Sequence, residues 1–299
     1  VVRRLSGPQL NGRMTLLVEH VCQAMAQIAP LRLAEDWDNV GLLLGDRWSP
    51  ARRVMTCLTI TLDVVAEAED EKVDLIIAHH PFPFKAVNKI TTDSPSGGLL
   101  WRLSRAGISL YSAHTAMDSA AGGINEQWAA ALGLTDVKPM IPDPSDPQVG
   151  SGRVGKLTGP VPETAAQILD RAVRFCAATR PRLAGVPDRP VRRVGVACGS
   201  GGSFVSAAMR AGCDLLLTGE ATFHACLEAE NTGISLGMVG HYYSERFAMD
   251  ELARRLRSLP LELQKSAKMT HPDPQDYQVW ASRREKDVFL DQPMSVDRS

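Results

Sequence analysis

A chain of 299 residues, 44% apolar and 22% charged, has material for a full hydrophobic core in one large domain or two lobes. Its formal net charge of -1 and the lack of any basic run argue against nucleic acid as the main partner, and no apolar run approaches a membrane span. Six scattered cysteines with no C-x-x-C pair read as free, mostly buried thiols of a reducing, cytoplasmic compartment.

Residues 1–13 carry Arg3, Arg4 and Arg13 but no apolar signal core, so they are expected to be a loose leader, with Met14 a natural alternative start. Leu17, Val21, Met25 and Ile28 recur at helical spacing, which predicts a helix over 15–29, stopped by Pro30. Residues 35–45 are polar, then glycine-punctuated, and predict a loop running into a short strand. From Arg53 the pattern alternates: strand 54–60, helix 64–71, strand 74–78, helix 98–105, strand 108–112 and helix 122–132.

Pro139, Pro142, Pro144 and Pro147 then crowd residues 139–152, which predicts a connector rather than a helix or a central strand. A second alternating series follows: strand 154–157, helix 163–177, strand 193–197, helix 204–211, strand 214–217, strand 235–239 and helix 244–256. Beyond Lys265 the chain is polar and proline-interrupted, and a weakly ordered tail is expected. The organisation expected is thus an N-terminal α/β lobe (14–136), a Pro-rich connector (137–152), a C-terminal α/β lobe (153–265) and a tail (266–299).

The two lobes echo each other. Val73-Asp74-Leu75-Ile76-Ile77-Ala78-His79-His80 aligns with Cys213-Asp214-Leu215-Leu216-Leu217-Thr218-Gly219-Glu220, and each is followed by a strand that ends in histidine, His114 and His241. A carboxylate sits four residues after each, Asp118 and Glu245. One strand–helix–strand unit used twice explains this, and it predicts an α/β fold whose strand ends face one cleft.

Four of the seven histidines end predicted strands: His79 and His80, His114 and His241. Adjacent imidazoles diverge from an extended chain, so His79 and His80 suit two different ions better than one. Imidazole plus carboxylate suits Fe, Zn, Mn, Co or Ni and argues against a thiolate site. Glu245 is long enough to bridge two ions, Asp118 to bind one, and a bridging water could serve as nucleophile. Glu220 and His224 are candidate acid–base or substrate-side groups, with an ordinary exposed helix start an equal alternative. The run Gly199-Ser200-Gly201-Gly202-Ser203 could cradle an anion or simply make a tight turn. His20 and His271 are given no role.

The segments Trp37-Asp38-Asn39-Val40-Gly41-Leu42, Ile77-Ala78-His79-His80-Pro81, His114-Thr115-Ala116-Met117-Asp118, Thr218-Gly219-Glu220 and Gly240-His241-Tyr242-Tyr243-Ser244-Glu245 resemble those of the Nif-three-like dinuclear metal-centre family, also labelled GTP cyclohydrolase I type 2 homologs. The resemblance runs over residues 16–263 and fits the short form without a central inserted domain. It implies two intertwined α/β repeats in layered sheets with helices packed outside, a metal site in the cleft between them, and a toroidal homohexamer. It also implies two divalent ions held by His79, His80, Asp118, His241 and Glu245, with Glu245 bridging and His114 nearby or a ligand. The expected activity is metal-dependent hydrolysis of a small molecule such as a nucleotide. The alternative is a non-catalytic metal-binding regulatory or scaffold protein. A closed-off metal pair would favour the latter, and an open cleft with a polar wall (Asn39, Glu220, His224) the former.

Overall fold

Two sheets carry the alternation read from the sequence. The structure is a computed structural model that describes residues 9–10, 13–261 and 276–289. In chain order the main strands are β1 (Gly41–Leu44), β2 (Arg53–Cys57), β3 (Leu75–Ala78), β4 (Ser109–Ser112), β5 (Thr135–Asp143), β6 (Asp146–Lys156), β7 (Arg182–Ala184), β8 (Arg193–Ala197), β9 (Leu215–Thr218), β10 (Ser235–Met238) and β11 (Gln278–Ala281). The main helices are α1 (Val18–Ile28), α2 (Leu62–Asp70), α3 (Pro95–Ala106), α4 (His114–Ser119), α5 (Ile124–Ala131), α6 (Ala165–Cys176), α7 (Val205–Arg210), α8 (Phe223–Thr232), α9 (His241–Glu245) and α10 (Phe247–Arg257). No helix among the described residues is long and apolar enough to cross a membrane. Of the expected leader, only the paired two-residue strands Gln9–Leu10 and Arg13–Met14 are described.

The first sheet has the order β11-β2-β3-β4-β1, parallel except for the edge strand β1. The second has the order β7-β10-β9-β8-β6-β5, with β8, β9 and β10 parallel. The echo in the sequence is an echo in bonding. Asp74 Oδ2 accepts from the N–H groups of Arg52 and Arg53, and Asp214 Oδ2 accepts from those of Arg192 and Arg193. Each aspartate thus ties the start of its strand to the start of the neighbouring strand, which sets the register of the parallel pair.

Side chains alternate across each strand, so each sheet buries both faces. Leu75 and Ile77 of β3 join Val194, Val196, Leu215 and Leu217 of the other sheet in one core that also takes in α1, α5, α6 and α10. Ile76 and Ala78 face the other way and pack with α2 and α3, while Leu216 and Leu236 pack with α7 and α8. Helices therefore cover the outer face of each sheet, and one core joins the inner faces.

Two segments differ from expectation. Residues 139–152 are not a connector but most of a long hairpin, β5 and β6, in which β6 pairs with β8 on its other side. The prolines fit because β5 is the sheet edge, where a missing N–H costs no ladder bond, and the register shifts near Pro142. Asp143 closes the turn by accepting from the N–H groups of Ser145 and Asp146. Secondly, the expected tail contributes β11, which runs parallel to β2 and buries Val279 and Trp280. The buried carboxylate of Glu67 anchors it, accepting from Ser282 Oγ, Trp280 Nε1 and the N–H groups of Arg283 and Arg284. The remainder of that tail, 266–275 and 290–299, lies outside the described residues.

Candidate metal centre

The carboxyl ends of the parallel strands bring chemistry-bearing residues to one place. His79 and His80 follow β3, Ala113 and His114 follow β4, and His241 follows β10 after the turn at Gly240. The short helices α4 and α9, starting at His114 and His241, carry Asp118 and Glu245 back over the strand ends four residues later. His80 and His241, from different sheets, meet with their Nε2 atoms 3.3 Å apart.

Glu245 lies between the two sheets' contributions. Its Oε2 is 3.1 Å from His80 Nε2 and 3.1 Å from His241 Nε2. Its Oε1 faces His79 Nε2 at 3.8 Å, and His79 Nε2 is 3.6 Å from Asp118 Oδ1. His79, His80 and His114 each offer a ring nitrogen within 4.8 Å of the others, as do His80, His241 and Glu245 through their ligand atoms. All five residues read from the strand ends, and His114, therefore converge.

The electrostatics are those of a site with too many lone pairs. The His79 side chain is fully buried, and neither of its ring nitrogens has a hydrogen-bond partner among the described residues. Burial pushes its pKa down to about 3, so its ring is neutral and its lone pair available. Burial and the charge of Glu245 push Asp118 up to about 7. Burial works the same way on Glu245, but hydrogen bonds from His241 and His80 outweigh it and hold that carboxyl well below the usual range. The same bond raises His241 to about 9.

Several partners had no signal in the single sequence. Asp38, part of a motif but given no role, has a fully buried side chain that accepts from His114 Nδ1 at 2.8 Å, from the Thr115 N–H and from the Thr115 hydroxyl. Burial opposes its charge, but these bonds from His114 and Thr115 prevail and hold it near 2. Asp38 thus fixes the His114 ring with its other nitrogen free to face His79 and His80. Thr59 holds His80 Nδ1 at 2.7 Å. Cys198 donates its thiol to Asp118 Oδ1 at 3.2 Å, and Asn125 joins the Asp118 carbonyl to the Cys198 N–H.

Glu220 accepts from Ser200 Oγ and lies 3.0 Å from His241 Nδ1, behind the imidazole rather than across from it. His224 is exposed on the first turn of α8, its ring against Phe223, and among the described residues no hydrogen bond joins it to the centre. Asn39 donates to the Pro83 carbonyl and so holds the loop after His80. His20 accepts the Leu17 N–H inside the core at the start of α1, and His271 lies outside the described residues.

The glycine-rich run makes a tight turn into a short 3-10 helix at Gly201–Phe204. The Gly199 N–H donates to Ser244 Oγ and the Gly201 N–H to Thr218 Oγ1, so these donors are spent inside the protein. Gly199 has φ +62, and a Cβ there would lie 2.4 Å from Glu245 Oε1. The glycine is needed because the carboxylate occupies that space.

A cavity of about 550 Å³ opens beside the centre. His80, His241 and Glu220 line it, together with Tyr243, Arg182 and Glu285.

Comparison with known proteins identifies the family. The family model of Duf34/NIF3 (NGG1p interacting factor 3) matches residues 16–274. A Clostridium perfringens protein called "GTP cyclohydrolase 1 type 2 homolog" is 33% identical over 225 residues, 75% of this chain and 85% of the relative. The Schizosaccharomyces pombe "Protein NIF3 homolog" is 33% identical over 245 residues, 76% of this chain and 84% of the relative. Among solved structures, a Bacillus cereus protein related to NIF3 superposes with a TM-score of 0.79 at 20% identity, covering 92% of this chain and 99% of that one. The chain belongs to the Duf34/NIF3 family.

Proposed function

We propose that this protein binds two divalent metal ions at the strand-end centre and is a metal-dependent hydrolase of a small molecule. The observation that carries the reading is His79, buried, neutral and unpartnered at both ring nitrogens among the described residues, facing the half-buried carboxylate of Asp118 and the buried one of Glu245. Buried polar atoms without partners are costly, and so are two carboxylates brought together away from water. Cations between them would relieve both costs. The donor set of imidazoles and carboxylates suits Fe, Zn, Mn, Co or Ni. Glu245 presents Oε1 towards His79 and Oε2 towards His80 and His241, so its two oxygens face two positions. His114, oriented by Asp38, is placed to complete the set with His79 and His80.

Bound there, such ions supply Lewis acidity and lower the pKa of a water towards neutrality. The chain's own residues prepare the site for that chemistry. Asp38, Thr59 and Glu220 each hold the far nitrogen of a histidine, which fixes the ring and directs the near nitrogen inward. Glu220 is also half exposed on the cavity, where it can take or give a proton to a bound molecule.

The cavity favours catalysis over a closed metal store, because it reaches His80 and His241 and has the size of a small-molecule site. The name borne by the Clostridium perfringens relative makes purine nucleotides the first substrates to try. The test is metal content per chain after chelator-free purification and reconstitution with Mn or Fe, followed by a screen of nucleotides and phosphoesters. Two ions per chain are expected, and Glu245→Ala is expected to lose both. Fewer than one ion per chain, or two tight ions retained in Glu245→Ala, would sink the proposal.

A further inference from the structure

We infer that Glu285, delivered by the segment beyond β11, is a positioning residue for one half of the metal centre, acting on His80 through Thr59. The inference rests on the metal reading above and adds a residue to it. It also gives the C-terminal segment, outside the family match that ends at 274, a part in the site.

The Glu285 carboxylate is 2% exposed, and its neighbours account for its burial. Its Oε2 accepts from the Leu58 N–H at 3.0 Å and its Oε1 from the Thr59 N–H at 2.7 Å. These two peptides follow the last residue of β2 and reach His80 in two ways. The Leu58 carbonyl accepts from the His80 N–H at 2.8 Å, which fixes the main chain of the ligand. Thr59 Oγ1 contacts His80 Nδ1 at 2.7 Å, which fixes its ring. With the Leu58–Thr59 peptides clamped, the imidazole has one orientation, and its Nε2 meets Glu245 Oε2 and His241 Nε2.

The same carboxylate also reaches the helix that carries Glu245. Glu285 Oε2 is 2.9 Å from Nε of Arg246, the residue after Glu245, and Arg246 also donates to the Ser282 carbonyl. Glu285 therefore touches the chain that carries His80 and the chain that carries Glu245. A hydroxyl suits the link at Thr59 because it both donates and accepts. It can give its proton to Nδ1 when Nε2–H is bonded to Glu245, and take the Nδ1 proton when Nε2 binds an ion. A methyl in its place could do neither. The His79 ring has no such bond among the described residues. The ring link through Thr59 therefore orients His80 alone.

The experiment compares the full-length wild type with Thr59→Val, Thr59→Ser and Glu285→Gln. Thr59→Val leaves the Glu285-to-peptide bonds in place and breaks only the link to the ring, so it does not depend on Glu285→Gln folding well. Mn titration of chelated protein should give two sites in wild type and Thr59→Ser. In Thr59→Val one site should weaken about tenfold or more while the other is unchanged, and Glu285→Gln should weaken that site at least as much. Long-range nitrogen–proton spectra of metal-free protein supply a second readout. His80 should give one sharp set of ring signals in wild type and Thr59→Ser, and doubled or broadened signals in Thr59→Val. Wild-type affinities and a single His80 signal in Thr59→Val would overturn the inference, as would equal weakening of both sites. Wild-type protein that binds less than one ion yet shows the ordered His80 ring, disturbed in Thr59→Val, would overturn the metal reading and support the positioning role.

Discussion

Gly199→Ala isolates the space around the bridging carboxylate. The new Cβ would lie 2.4 Å from Glu245 Oε1, 3.4 Å from its Cδ and 3.5 Å from His241 Nε2. Relief of the first contact needs the carboxylate to move by roughly 1 Å, since non-bonded heavy atoms settle near 3.5 Å. The backbone adds its own cost, because φ is +62 and a left-handed conformation costs an L-residue about 1–2 kcal/mol. Gly107→Ala separates these two effects: its φ is +69, but its Cβ would have nothing within 4 Å. Both variants should melt a few degrees lower, on the order of 2–4 °C per kcal/mol for a chain of this size. Only Gly199→Ala should lose ions, by about tenfold or more at each position, because ligand geometry must hold to about 0.5 Å. Thermal melts and metal titration of both variants test this. Gly199→Ala that binds two ions as tightly as Gly107→Ala would refute the argument that the glycine exists to admit Glu245.

Glu67→Gln should cost about 2–4 kcal/mol, because four donors around the buried carboxylate lose a charged acceptor. Burial opposes the charge of Glu67, but those donors outweigh it and hold its pKa below the ordinary 4.5. Its stabilisation is therefore full above pH 4.5 and lost as pH falls through the lower folded value, so the gap between wild type and variant in urea midpoints should narrow on acidification. A gap that widens would contradict the assignment. Arg153→Met removes a buried guanidinium that donates to the carbonyls of Gly150, Gly152, Ser119 and Ala120. The loss should be about 2–4 kcal/mol, since carbonyls in the interior lose a charged donor and only that of Ala120 is seen to keep a second, the Gly123 N–H. A change under about 1 kcal/mol in the urea midpoint would show that water replaces the arginine.

The parts of this molecule legible in the sequence are those whose partners lie close along the chain or recur in it. The strand–helix alternation, the paired Asp74 and Asp214, and the two His-x-x-x-carboxylate motifs are local patterns, and their repetition made each one evidence for the other. The β5–β6 hairpin was hidden because proline density reads as a connector unless the strand is known to be an edge, which is a tertiary fact. β11 was hidden for a similar reason: four residues among polar neighbours become a strand only beside β2, which lies over two hundred positions earlier. In the same way Asp38, Thr59, Cys198 and Glu285 act on the centre through contacts with residues distant in sequence, and no spacing rule reaches them.

The adjacent histidines show where local reasoning holds. The expectation was that adjacent imidazoles diverge and so suit two different ions better than one. β3 ends at Ala78 and the chain bends at His79 and His80, yet both stay bonded to the neighbouring segment: the His79 N–H donates to the Cys57 carbonyl and the His80 N–H to the Leu58 carbonyl. The rings part at that bend: the His79 side chain lies fully in the interior, facing Asp118 and Glu245, while His80 is left 24% exposed, facing Glu245, His241 and the cavity. Both main-chain bonds fall on the peptides whose N–H groups, those of Leu58 and Thr59, Glu285 clamps from more than two hundred positions away.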